Sequence, residues 1–316
     1  MTWQTPMTQP KNTNPRRRAL LKAAGAATLL SAMTEARSAP AGLITRAIPR
    51  SGERLPAIGL GTYQVFDVST GRLPGTQLRQ VLQRFIELGG KAVDSSPMYG
   101  HAEAAVGTLA AALGARNSLF LATKVWTTGR NEGIHQMETS ARLLQTKVID
   151  LMQVHNLLDL KTHLPVLRDW KKSGRIRYLG ITHYHAGVHA ELEKLVRTGD
   201  FDFLQINYSL DEPEAEARLL PACSDSGTAT LINRPFSQAG LFGKVRGKPL
   251  PPWCADLDCS SWAQFFLKWI ISHPAVTCAI PGTGRVQHIE DNMAACIGRL
   301  PDAALRKRMQ DYFARL

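Results

Sequence analysis

The chain has 316 residues, 44% of them hydrophobic, which is enough apolar material for a large buried core. Its net charge is +12, but six Lys/Arg against one acid fall in residues 1–41, placing +5 there and leaving +7 spread over the rest. Without an arginine-rich helix or a basic patch interleaved with aromatics, nothing supports a nucleic-acid partner, and five scattered cysteines exclude a disulfide framework.

The first forty residues differ in kind from the remainder. A polar opening, MTWQTPMTQPKNTNP, leads to Arg16, Arg17 and Arg18 and then to ALLKAAGAATLLSAM, an apolar run interrupted only by Lys22. That run is shorter than the roughly twenty residues a membrane span needs, so a removed leader over 1–41 is expected rather than an anchor. RRALLK resembles the twin-arginine export signal, with Arg17 and Arg18 as the pair, although Arg16 stands where that motif usually has Ser or Thr. The resemblance implies transient engagement of the twin-arginine translocase and a periplasmic destination. A disordered basic tail or an amphipathic helix is the alternative.

Behind the leader, short apolar runs alternate with helix-length segments. A hairpin is expected at about 44–58 with its turn at Ser51 and Gly52. Strands follow near 59–64, 91–95, 119–124, 149–154, 176–181, 202–207, 229–233 and 276–280, with helical spacing between them, as in Gln77 to Leu88 and Glu191 to Val196. Eight strands and eight helices in alternation give an α/β (β/α)8 TIM barrel, a single domain over 42–316 with the hairpin capping its bottom. After the seventh barrel strand comes GLFGKVRGKPLPPWCADLDCS, long and rich in Gly and Pro, which is either a lid over bound ligand or a loose surface insertion. The tail beyond Pro301 reads as one short helix, which leaves the pocket open. Cys254 and Cys259 are spaced so that they could pair after export, yet C-x4-C without neighbouring ligands is a poor metal site, and no metal is expected. Cys278, inside VTCAI, reads as a core residue.

Four polar residues sit at or just past the downstream ends of apolar runs: Asp94 after KAV, Tyr99 five residues on, Lys124 after LFLAT and His155 after LMQV. A parallel barrel gathers such positions around one mouth. Their chemistry is complementary. An ammonium beside a phenol favours the phenolate and lowers the Tyr pKa, a carboxylate holds the ammonium, and a neutral imidazole can orient or polarise a carbonyl. Singly, each has an ordinary alternative: Asp94 a helix N-cap, Lys124 a surface lysine, His155 a satisfied core histidine. Tyr63 and Trp126 lie just past strand ends in GLGTY and TKVW, as apolar pocket walls or as packed core aromatics. PGTGRVQHIEDN turns from the eighth strand into a helix, and such a turn presents N–H groups to an anion, which points to Gly282 and Thr283 with His288, Asp291 and Asn292 near them.

In this order, VDSSPMYGHAE, FLATKVW, LMQVHN, LQINYSL and AIPGTGRVQHIEDN resemble the aldo/keto reductase family over roughly residues 44–297. The resemblance implies reversible reduction of an aldehyde or ketone by a nicotinamide cofactor, with Tyr99 as proton donor, Lys124 and Asp94 tuning it, and His155 orienting substrate. It implies cofactor contacts at Gly61 and Thr62, and at Thr182, His183, Gln205 and Asn207 facing the carboxamide, although many relatives have Ser and Asn where Thr182 and His183 stand. Arg234 and Phe236 occupy the stretch where relatives place an aromatic against the nicotinamide. Relatives selective for NADPH often carry Lys and Arg where Gly282 and His288 stand, and Arg285 can supply that charge, so NADP is placed ahead of NAD. A monomer acting on a small-molecule carbonyl is expected. The other reading is a regulatory barrel that binds nicotinamide with little turnover. Without a G-x-G-x-x-G after a strand, a Rossmann dehydrogenase is disfavoured, and without a pair of strand-end carboxylates so is a sugar-binding or hydrolytic barrel.

Overall fold

The computed structural model describes residues 1–3 and 42–316; the Arg17–Arg18 pair, the apolar run after it and the proposed leader boundary lie outside the described residues. The expected hairpin is present. β1 (Thr45–Ala47) pairs antiparallel with β2 (Arg54–Pro56), with Arg46 opposite Leu55. In its turn the Gly52 and Ser51 amides donate to Ile48 O at 2.9 and 3.2 Å, and Gly52 has φ +74°, a conformation that costs a glycine little.

Eight parallel strands follow: β3 (Leu60–Gly61), β4 (Ala92–Asp94), β5 (Phe120–Val125), β6 (Ile149–His155), β7 (Ile176–Thr182), β8 (Phe203–Asn207), β9 (Ala229–Asn233) and β10 (Cys278–Ala279). Each pairs with the next in chain order. Parallel bridges from Ile58 to Ala279 and from Gly61 to Gly282 join the first strand to the last and close the sheet on itself. The seam is tight: a Cβ on Gly61 would stand 2.7 Å from Ile280 O.

The outer layer comprises α1 (Leu78–Glu87), α2 (Ala102–Ala112), α3 (Arg130–Leu143), α4 (Leu160–Lys172), α5 (His189–Val196), α6 (Leu219–Asp225), α7 (Gly240–Val245), α8 (Trp262–Ile271), α9 (Val286–Ala294) and α10 (Ala303–Ala314). Eight of these are the barrel helices; α7 lies in the long segment after β9, and α10 is the expected tail. Helix α1 shows why the alternation works. Leu78, Val81, Leu82 and Phe85 recur at helical spacing and are all buried. The helix stops where Gly89 takes φ +85°, its amide donating to Ile86 O and that of Gly90 to Phe85 O, a Schellman ending that turns the chain into β4.

The Gly/Pro-rich segment is neither loose nor free-standing. Leu241, Val245, Cys254 and Leu257 are buried. Trp262 Nε1 donates to Lys248 O at 2.9 Å, and Trp253 meets Tyr312 of α10 edge-on with centroids 6.0 Å apart. Apolar residues at intervals of a few positions dock it on the outer helices, which composition alone obscures. All five cysteines are buried and free.

Strand alternation sorts side chains between two layers. Outward residues such as Val93, Leu121, Val154 and Ile206 pack under the helices. Inward ones form a second cluster that includes Phe120, Leu151, Tyr178 and Phe203, and the hairpin seals it from below with Ile48 and Leu55. The Tyr178 hydroxyl ties strand to hairpin by a 2.7 Å hydrogen bond to Glu53 Oε2. Two or four residues further along the strands, on the same inward face, the apolar series gives way to Asp94, Lys124, Gln153, Thr182, Gln205 and Asn233. The barrel is thus an apolar plug beneath a polar ring.

Candidate active site

Strand register brings the ring together. Asp94 stands beside Ala122, Lys124 beside Gln153, His155 beside Thr182, and Thr182 beside Gln205. The Lys124 ammonium is wholly buried, yet two of its N–H donors have acceptors at short range. It donates to Asp94 Oδ2 and to Ser95 O, each at 2.7 Å, and lies over the Tyr99 ring, 5.0 Å from the centroid. The other carboxylate oxygen of Asp94 accepts from Gln205 Nε2 at 2.8 Å and Gln153 Nε2 at 3.3 Å. A buried carboxylate with this many donors is the condition under which a buried ion pair is tolerable.

Burial opposes the charge on Lys124, but Asp94 and Tyr99 outweigh it and hold its pKa above the ordinary lysine value. Tyr99 departs from the expected direction. Burial raises its pKa above the usual phenol value, Lys124 pulls it back only in part, and Asp94 pushes it further up. Burial, with the Asp94 carboxylate beside the ammonium, therefore leaves a protonated hydroxyl rather than the more acidic phenol expected.

His155 is neutral, as the sequence suggested. Burial depresses its pKa to about 3, with the Lys124 and His183 charges adding to the effect. Its Nδ1 lies 3.1 Å from Ser96 Oγ, and Nε2 makes no hydrogen bond among the described residues. The imidazole meets the Tyr99 ring edge-on at 6.1 Å and Trp126 at 6.3 Å.

The predicted pocket walls are at the rim, not in the core. Tyr63 is 48% exposed with its ring 5.0 Å from Tyr99, and Trp126 is 41% exposed. Gln136 holds Trp126 in place, accepting from its N–H at 2.6 Å and donating to its C=O at 3.1 Å. Met98, 36% exposed, completes this apolar edge and was not singled out in the sequence.

The residues expected at a cofactor fall into three groups. Thr62, Thr182, Gln205 and Asn207 are buried at the polar end of the barrel; Thr182 Oγ1 donates to Gln205 Oε1 at 2.9 Å, and Thr62 Oγ1 to Asp94 O at 2.9 Å. His183 is half-buried, its ring stacked on Tyr184 at 5.3 Å and 9°. Gly61 and Gly282 form the barrel seam, and beyond it Thr283 Oγ1 accepts from the Arg285 amide at 3.1 Å at the start of α9. Arg285 and His288 are exposed there, and Asn292 is buried. Asp291 points elsewhere, its carboxylate accepting from Ser261 Oγ at 2.8 Å and Gln264 Nε2 at 2.7 Å of the α8 N-terminus. Phe236 packs on Phe242 and Phe266 at 4.9 and 6.4 Å, in the outer core. Arg234, in left-handed conformation at φ +50°, donates to Tyr184 O at 3.1 Å.

Sequence reasoning missed Gln153, Ser96 and Asn233. The signal for Gln153 was available: in LMQVH it shares the strand face of Leu151 and His155. Buried polar atoms that lack partners at this end of the barrel include Gln153 Oε1, Asn233 Oδ1 and Arg234 Nε. Buried polar atoms are rarely left so, and two acceptors with one cationic donor are what an amide and a phosphate would complete.

Comparison with known proteins agrees with this geometry. The model of the aldo/keto reductase family matches residues 57–307. A methylglyoxal reductase of Escherichia coli K12, YeaE, is 30% identical over 258 residues, 79% of this chain and 89% of that protein. The methylglyoxal reductase DkgB of Salmonella typhi is 30% identical over 249 residues, 76% of this chain and 87% of its own. Among solved structures, an aldo/keto reductase from Klebsiella pneumoniae in complex with NADP and acetate superposes with a TM-score of 0.69 at 25% identity, covering 83% of this chain and 93% of that one.

Proposed function

Since this chain belongs to the aldo/keto reductase family, we propose that it reduces a small aldehyde or ketone to the alcohol, with Tyr99 delivering the proton. NADPH supplies the hydride when bound. One observation carries the reading: the buried Lys124–Asp94 couple lies over the ring of Tyr99, a phenol held protonated beside a neutral His155. A phenol kept protonated through neutral pH suits the reductive direction, and the His155 N–H can meet the same carbonyl oxygen. The exposed edge of Tyr63, Met98 and Trp126 suits a carbonyl with an apolar side.

For the dinucleotide, Gln153, Asn233 and Arg234 offer the unpaired polar atoms, and exposed Arg285 at the start of α9 offers a cation for a 2′-phosphate. NADP is therefore placed ahead of NAD, in keeping with the Klebsiella complex. Methylglyoxal, named for the Escherichia coli relative, is the first substrate to assay. NADPH consumption with this aldehyde is expected, abolished in Tyr99→Phe while NADPH still binds. Equal kcat in that variant overturns the assignment of Tyr99, and absence of hydride transfer in stopped-flow leaves the regulatory barrel. We also read Arg17–Arg18 and the following apolar run as an export signal, and the chain as a monomer. Fractionation with N-terminal sequencing tests the first, an uncleaved cytoplasmic product overturning it, and sedimentation tests the second.

A further inference from the structure

We propose that Ser96 is a positioning residue that sets the tautomer of His155, fixing its proton on Nε2 where it can meet a substrate oxygen. The inference rests on the carbonyl-reductase reading for its consequence, but its geometry stands alone. Ser96 is fully buried at the start of the β4–α2 connection. Its Oγ lies 3.1 Å from His155 Nδ1 and accepts the Met98 N–H at 3.3 Å, a local side-chain turn that holds the hydroxyl in one orientation.

A serine hydroxyl has one proton to give, and here the direction of that proton decides the imidazole's state. If Nδ1 carried hydrogen, Ser96 Oγ would receive both Nδ1–H and Met98 N–H, and its own O–H would have no acceptor among the described residues. A buried hydroxyl left unpaired is costly enough to bias the two tautomers by about tenfold or more. If Nδ1 is bare, Ser96 donates to it, Met98 donates to Ser96, and every group is satisfied. The imidazole then carries its hydrogen on Nε2, which has no hydrogen-bond partner among the described residues. The opposite tautomer would turn a lone pair toward the oxygen that Tyr99 is to protonate, so Ser96 acts on the reaction through His155 without touching substrate.

The test is the imidazole nitrogen-15 spectrum together with steady-state kinetics for methylglyoxal and NADPH. The expected wild-type spectrum shows a protonated Nε2 and a bare Nδ1 for His155. Ser96→Ala is expected to mix the tautomers and lower kcat about tenfold with a smaller change in NADPH KM, while Ser96→Thr, which keeps a hydroxyl, restores both spectrum and kcat. A wild-type spectrum with hydrogen on Nδ1 overturns the proposal, as does a Ser96→Ala enzyme with unchanged tautomer and kcat. Should Ser96→Ala not fold, the wild-type spectrum decides alone. A wild-type protein that fails to reduce any carbonyl sinks the proposed function instead, and the spectrum still reports on Ser96.

Discussion

Replacing Lys124 by Met keeps the buried stem and deletes only the charge, so it isolates what the ammonium does. Asp94, 3% exposed, would retain its hydrogen bonds from Gln205 and Gln153 but lose its cation. Stranding one member of a buried ion pair costs about 3–5 kcal/mol, and the two remaining amide donors place the expectation near the lower limit, about 3 kcal/mol. For a domain of this size that corresponds to a fall of roughly 6–12 °C in Tm, read by calorimetry. Adding Asp94→Asn removes the stranded carboxylate, so the double variant should recover part of the loss, a coupling that a double-mutant cycle reads directly. Turnover should not recover with it: without the ammonium over its ring, which lowers its pKa, Tyr99 is a poorer acid, and kcat is expected to fall about 100-fold or more in both variants. A Lys124→Met protein melting within about 2 °C of the parent, or one further destabilised by Asp94→Asn, would refute the view that this couple organises the mouth.

Gly61→Ala should destabilise the barrel by about 1–3 kcal/mol in urea unfolding, because the added methyl meets the Ile280 carbonyl across the seam. Arg285→Ala should raise KM for NADPH about 10- to 100-fold, the worth of a charged hydrogen bond, with little change for NADH; equal effects on both would remove Arg285 from 2′-phosphate recognition. His155, with a folded pKa near 3 against an ordinary 6.5, takes up a proton on unfolding through that window. Its contribution therefore destabilises the fold progressively as pH falls from about 6.5 toward 3. Proton NMR should find it neutral at pH 5, and His155→Gln should flatten the acid limb of stability against pH.

The strand–helix alternation was legible because each barrel strand is a short apolar run and each helix repeats its apolar residues at helical spacing, as Leu78, Val81, Leu82 and Phe85 do. The expected mouth residues were found because Asp94, Lys124 and His155 interrupt apolar runs at their downstream ends. What the chain did not disclose is where fields and bonds balance. An ammonium next to a phenol suggested an acidic Tyr99, but burial, with a carboxylate beside the ammonium, reverses the direction, and neither distance nor burial is written in residue order. Phe236 and Asp291 fell in the right stretches, yet one packs on Phe242 and the other on the start of α8, since position along a loop does not determine which way a side chain turns. Ser96 was passed over because its partner His155 is 59 residues away.

The hairpin under the barrel makes it a vessel with a floor. Ile48 and Leu55 fill the far end, packed in one buried cluster with the aromatic layer of Phe120, Tyr178 and Phe203. If a cofactor and a carbonyl meet inside as proposed, both enter from the mouth opposite the hairpin, and whichever lies deeper has to arrive first and depart last. Order of binding would then be set in part by two short strands at the far end.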